Sequence, residues 1–166
     1  MSQRLHLVTR SGDPERLRTL LHRSRIEVDV SDETGITPLM LAAQLGSVEL
    51  MAVLVAHGAD VNAADAHQGW TPLMYAVTSG IIAATTWLLA HGAEVNATDA
   101  AGNTALHLAI EKGFVYTVEA LLKGGADPLA PNEWEVPALE VAQGCRDRAQ
   151  AILTLLQTSR PTPSGG

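Results

Sequence analysis

Apolar residues along this chain come in paired short clusters, each pair split by a glycine and bounded by polar turns. Leu5-His6-Leu7-Val8 predicts a short helix ending near Gly12. Asp13-Pro14-Glu15 then restarts a helix: Asp as cap, Pro in the first turn, an acid near the positive end. Leu17, Leu20 and Leu21 supply its apolar stripe at helical spacing, and Val28-Asp29-Val30 reads as extended. The pattern repeats behind Thr37-Pro38, where Leu39, Ala42 and Ala43 share a face and Gly46 stops the helix. Val48 to His57 predicts its partner, with Leu50, Met51, Leu54 and Val55 inward and Gly58 as terminator. Ile82 to His91 predicts the partner in the next pair, with Trp87 filling space left by Ala83, Ala84 and Thr85. Further on, Leu106-His107-Leu108-Ala109 pairs with Val115, Val118, Leu121 and Leu122.

The pairs are copies of one another. Gly35-Ile36-Thr37-Pro38-Leu39-Met40, Gly69-Trp70-Thr71-Pro72-Leu73-Met74 and Gly102-Asn103-Thr104-Ala105-Leu106-His107 are successive versions of one segment. Leucines at 5, 39, 73, 106 and 139 mark five units, spaced 34, 34, 33 and 33. The units are expected at 1–31, 32–64, 65–98, 99–131 and 132–157, one domain, with 158–166 as a disordered tail. Asp65-Ala66-His67-Gln68-Gly69 carries one residue more than Asp32-Glu33-Thr34-Gly35. In the last unit Glu135 replaces the turn Gly and Pro137-Ala138-Leu139 replaces Thr-Pro-Leu, and its second helix carries Arg146, Asp147, Arg148 and Gln150, a polar side suited to a terminal cap.

Turn Gly, Thr-Pro-Leu, helix-stopping Gly and the Gly-Ala-Asp-Val-Asn run at Gly58–Asn62 resemble the ankyrin repeat. The resemblance covers about residues 3–157 and implies an all-α solenoid of stacked antiparallel helix pairs joined by β-turn fingers. Met40 and Met74 depart from the family's usual His, which supports the turn from below. The resemblance also implies that Asn62 and Asn96 tie down the fingers, and it makes both candidates for an asparaginyl hydroxylase, with Leu54 and Leu88 eight residues upstream.

Composition adds little to the fold and more to the partner. Apolar residues are 46% and aromatics only 4%, as close-packed short helices require. One cysteine, Cys145, permits no disulfide within the chain, and no apolar run is long enough for a signal or a membrane span, so cytoplasm or nucleus is the expected location. The net charge of -7 is uneven: residues 1–31 carry six Arg against four acids, residues 32–131 two Lys against ten acids. The acidic middle argues against nucleic acid. The Arg-rich start, Arg16 to Arg25, has two readings, a patch for phosphate or an acidic partner and the solvated face of an amphipathic helix, and the second is the one expected.

Catalysis and metal binding are not expected, and no cofactor is implied. His57 and His91 sit at equivalent helix ends, explained by free carbonyls there. Cys145 reads as a packing residue, and the Asp residues opening the units read as turn formers. The function expected is recognition of a protein or peptide by a monomer. The resemblance implies that partners meet the finger tips and the exposed face of each first helix. Those positions are Glu33, Thr34, Ile36, Gln44 and Leu45; His67, Gln68, Trp70, Thr78 and Ser79; and Ala100, Ala101, Asn103, Glu111 and Lys112. Met40 and Met74 are expected beside them, and Trp134 in the fifth finger either joins them or covers the end of the core. Ile36 and Trp70 would be apolar anchors rimmed by Glu33, Asp65, Asp99, Glu111 and Glu133, favouring a basic segment with apolar side chains; the alternative for Trp70 is that it folds back and packs under its longer finger. The alternative is the regulatory or substrate-recruiting part of a larger enzyme, or a direct enzyme inhibitor.

Overall fold

A computed structural model of the chain describes residues 2–23, 26–144 and 149–158. Among these lie ten helices: α1 (Ser2–Arg10), α2 (Pro14–Arg23), α3 (Pro38–Gln44), α4 (Val48–Ala56), α5 (Pro72–Ser79), α6 (Ile82–Ala90), α7 (Ala105–Glu111), α8 (Val115–Lys123), α9 (Ala138–Gly144) and α10 (Ala149–Thr158). Extended pairing among them is limited to the isolated bridges Thr98 to Thr104 and Pro131 to Pro137.

The starts of the helices follow local chemistry. The Asp13 carboxylate accepts the N–H groups of Glu15 and Arg16, each at 3.0 Å, and Pro14 opens α2. The Thr37 hydroxyl accepts from the Met40 N–H at 3.3 Å, and Ser47 does the same for Leu50. Ile81 and Phe114 occupy the cap positions of α6 and α8 and supply no side-chain bond.

Packing then builds two layers. The odd-numbered helices stack each on the next, the even-numbered helices do likewise, and each pair closes on itself. A short helix pair buries too little apolar surface alone, so stability comes from neighbour on neighbour. The resulting core is one cluster reaching from Leu5 to Leu156. Burying a Leu side chain completely stabilises by about 1.5–3 kcal/mol, and Leu5, Leu39, Leu73 and Leu106 are buried alike in successive units. Leu20, Val55, Val115, Leu122 and Leu139 sit half-buried at its edge.

Ala83 faces solvent, Ala84 and Thr85 are buried, and Trp87 packs against the core. Its ring is half-buried at the core edge and stacks on His91, with centroids 3.7 Å apart. Thr158 ends α10 rather than starting a tail. Cys145, Arg146, Asp147 and Arg148, the side chain of Gln150, and residues 159–166 lie outside what is described.

Candidate interaction surface

Each finger is organised by the polar residue that opens its unit. Asp32 accepts from the N–H groups of Thr34 (2.9 Å) and Ile36 (3.2 Å). Asp99 accepts from Ala101 (2.9 Å) and Asn103 (2.8 Å), and the Asn132 amide oxygen from Trp134 (3.1 Å) and Val136 (3.0 Å). In the third unit Asp65 accepts from His67 (2.8 Å), Gln68 (2.7 Å), Trp70 (3.1 Å) and the Tyr75 hydroxyl (3.0 Å). Burial pushes the Asp65 carboxyl up, but these donors outweigh it and hold the group below the usual carboxylate range. The same balance of burial against hydrogen bonds lowers Asp32. Burial and the bond to Asp65 push the Tyr75 phenol well up.

The extra residue in the third finger widens its turn. Gly35 and Gly102 donate to Asp32 and Asp99 three residues back, whereas Gly69 donates to Asp65 four back, at 3.2 Å. The Gln68 carbonyl at its tip accepts the Ala100 N–H of the next finger at 2.8 Å. Glu133 donates to Ala101 in the same way at 3.0 Å. Trp70 is part of this link. Its indole is half-buried, meets the Tyr75 ring edge to face at 5.4 Å, and donates from Nε1 to Asp99 at 3.3 Å.

Two histidines tie units together from below. His6 donates from Nε2 to the Ile36 carbonyl at 2.8 Å. His107 reaches the Val136 carbonyl at 3.3 Å, while its Nδ1 accepts the Thr104 N–H at 3.1 Å, which fixes the proton on Nε2. Burial lowers the His107 pKa, against the opposing pull of that carbonyl and of Asp99. Met40 takes the local half of the role, its sulfur accepting the Thr37 N–H at 3.3 Å.

On the opposite edge of each finger a second tie recurs. The Asn62 amide donates to the Gly92 carbonyl (3.1 Å) and accepts from the Glu94 N–H (2.8 Å). Asn96 does the same with Gly125 (3.2 Å) and Asp127 (2.9 Å). In the first unit Asp29 accepts the Asp60 N–H at 3.0 Å. Burial raises the Asp29 pKa, the Asp60 N–H pulls it back, and the charges of Asp60 and Glu27 add to the rise.

The expected partner positions separate on exposure. Met40 and Met74 are fully buried and contribute core, not surface. The cause is the stack itself: α3, α5 and α7 are flanked by a neighbour on each side, so Pro38–Ala43, Pro72–Val77 and Ala105–Ile110 are buried around almost the whole circumference. Asp65 is likewise buried and saturated, so it does not belong to the acidic rim. Glu33, Gln44, His67, Gln68, Ala100, Glu111, Lys112 and Glu133 are exposed, with Leu45 at 44% and Trp134 at 63%. Trp134 therefore does not cover the end of the core. Ile36, Trp70, Thr78 and Asn103 are half-buried, and the Thr78 hydroxyl is bonded to the Tyr75 carbonyl at 3.0 Å.

One apolar strip escaped the pattern. Ile81, Ile82 and Tyr116 are exposed, Tyr116 at 76%, beside a cleft of about 430 Å³ that also includes Phe114. The legible signal was the apolar residue at two successive cap positions, where the second unit has Ser47.

The geometry defines a repeat solenoid of helix pairs and fingers. Ankyrin-repeat family models match residues 5–99 and residues 79–122, and the chain belongs to that family. It is 31% identical to human (Homo sapiens) B-cell lymphoma 3 protein over 170 residues, covering 96% of this chain and 36% of that protein. It is 32% identical over 146 residues to the nuclear factor NF-kappa-B p105 subunit of Gallus gallus, covering 86% and 15%. A Caenorhabditis elegans homolog of transient receptor potential cation channel subfamily A member 1 is 34% identical over 118 residues, covering 71% and 10%. The chain thus spans between 10% and 36% of the length of these relatives. Among the described residues no helix is long and apolar enough to cross a membrane.

Proposed function

We propose that this array is a protein-recognition module whose fingers and first-helix ends hold a basic segment with apolar side chains. One observation carries the reading. Leu45 and Trp134 are exposed among the exposed acids Glu33, Glu111 and Glu133, with Ile36, Trp70 and Asp99 half-buried beside them. Trp is enriched at binding hot spots, and a face already fixed by finger-to-finger hydrogen bonds loses little freedom on binding. The module acts by holding, not by reaction, as an adaptor, scaffold or regulatory subunit of the cytoplasm or nucleus.

The test is binding of the partner recovered by pull-down to Trp134→Ala, Ile36→Ala and Glu111→Lys variants. Their fold is checked by circular dichroism. Trp134→Ala and Glu111→Lys alter exposed side chains, so their loss of affinity reports on the surface. Trp70→Ala also breaks the Asp99 bond and is scored for stability as well. Unchanged affinity in all four removes the placement.

A second reading is favoured by coverage: the similar proteins are much longer than this chain. In that reading the array recruits substrates or regulators to a larger protein, or inhibits an enzyme directly. The full-length gene product and an activity assay with the captured partner separate these roles.

A further inference from the structure

The outer face of the first unit departs from a solvated cap. The antiparallel helices α1 and α2 leave between them an open cleft of about 720 Å³ on the side away from α3 and α4. Arg4, Leu7 and Val8 come from α1, and Arg16, Leu20 and Arg23 from α2. Antiparallel pairing sets Arg4 near Arg23 at one end and Arg16 at the other, with the three apolar side chains between. Leu7 is 65% exposed at the centre.

The charges are not internally matched. Arg10 pairs with Asp32 at 3.3 Å, and Arg18 pairs with Glu15, the acid of the cleft. Arg4, Arg16 and Arg23 make no ion pair with a described residue. At the far end, α10 exposes Ala151, Thr154, Gln157 and Thr158, all uncharged. Among the described residues, the excess of guanidinium around an apolar centre lies on this face. A face held only by water would gain from acids placed four residues from its cations, as Glu119 is from Lys123.

We propose that this cleft docks an acidic protein segment carrying an apolar anchor, a partner distinct from the basic segment on the fingers. The anchor covers Leu7, Val8 and Leu20, and its carboxylates meet Arg4 and Arg23 at one end and Arg16 at the other. Guanidinium forks suit carboxylates, and such bonds strengthen as the apolar anchor excludes water.

The test uses the whole chain and a short fluorescein-labelled peptide of glutamates with two leucines four residues apart, read by fluorescence anisotropy. Three exposed pairs lost together weaken binding by about tenfold, so R4E/R16E/R23E should lose at least that. Leu7→Ser should weaken it by about fivefold, and binding should fall as salt rises. Trp134→Ala and Glu111→Lys, on the other face, should leave it unchanged. Circular dichroism checks that each variant is folded. Equal binding of the charge-reversed variant, or of a lysine–leucine counterpart peptide, overturns the proposal. Binding of inorganic polyphosphate or phosphatidylserine vesicles in place of the peptide also overturns it, as does Arg-dependent self-association in sedimentation, which would make a second copy the occupant.

Discussion

Thr85 keeps its hydroxyl in the core, fully buried and without a hydrogen-bond partner. Its neighbours in register are Met51 and Val118, both apolar. An unmade buried hydrogen bond costs about 1–3 kcal/mol, and Val has nearly the shape of Thr. Thr85→Val is therefore expected to stabilise the fold by about 1 kcal/mol, read as a higher urea midpoint at unchanged slope. A lower midpoint would show that the hydroxyl is satisfied in solution. Met40 and Met74 teach the opposite lesson about exposure. Their departure from His was plain in the sequence, but its direction was not. A one-face reading of a helix assumes one partner, and α3 and α5 each have one on either side.

The fingers show how much of an element can be read from its turn residues. Asp32, Asp65 and Asp99 were legible as turn formers because each recurs at the opening of a unit, three or four residues before the turn position, and Asn132 takes the same place in the fifth unit. That position needs a left-handed backbone, and Glu135 adopts it at φ 58° where Gly35, Gly69 and Gly102 stand in the other units. A side chain there costs about 1–2 kcal/mol, partly offset by the greater entropy of an unfolded glycine. Glu135→Gly should thus stabilise the fifth unit by about 0.5–1 kcal/mol, seen as slower amide exchange from Asn132 to Ala142. The link of the Trp70 indole to Asp99 was not legible, since it depends on where the widened turn aims its neighbour. His107 supplies a pH test of the junction below. Its pKa is lowered in the fold, so the stability it contributes is complete above the unfolded value near 6.5. That stability is lost as pH falls from there through the folded value. His107→Met, copying Met40 and Met74, should flatten the stability profile between pH 7 and pH 5 by thermal melting. Asp65 and Asp32 lose their share only at lower pH, below the ordinary carboxylate value of 3.8, because their pKa values are lowered.

Across the whole molecule, contacts between helices run mainly between adjoining units. The core is continuous, but each junction is closed locally by its own histidine, asparagine or finger bond. Amide exchange should therefore be slowest in α3, α5 and α7 and fastest in α1, α2 and α10. Uniform protection would indicate one cooperative block. The five-unit stack was legible from leucine spacing alone, since a fixed period leaves few ways to bury each face. The basic end cleft was not, because Arg16 to Arg25 reads as one amphipathic helix until α1 supplies Arg4 and Leu7 opposite it. The struts formed by Asp29, Asn62 and Asn96 carry a mechanical consequence. Each spans a single rise of the stack, so tension applied to the two ends of the chain meets the junctions in series, like links. An optical-tweezers trace should lengthen in increments of about one unit, roughly 110 Å of extended chain, and Asn62→Ala should lower the force of one increment while leaving the others in place.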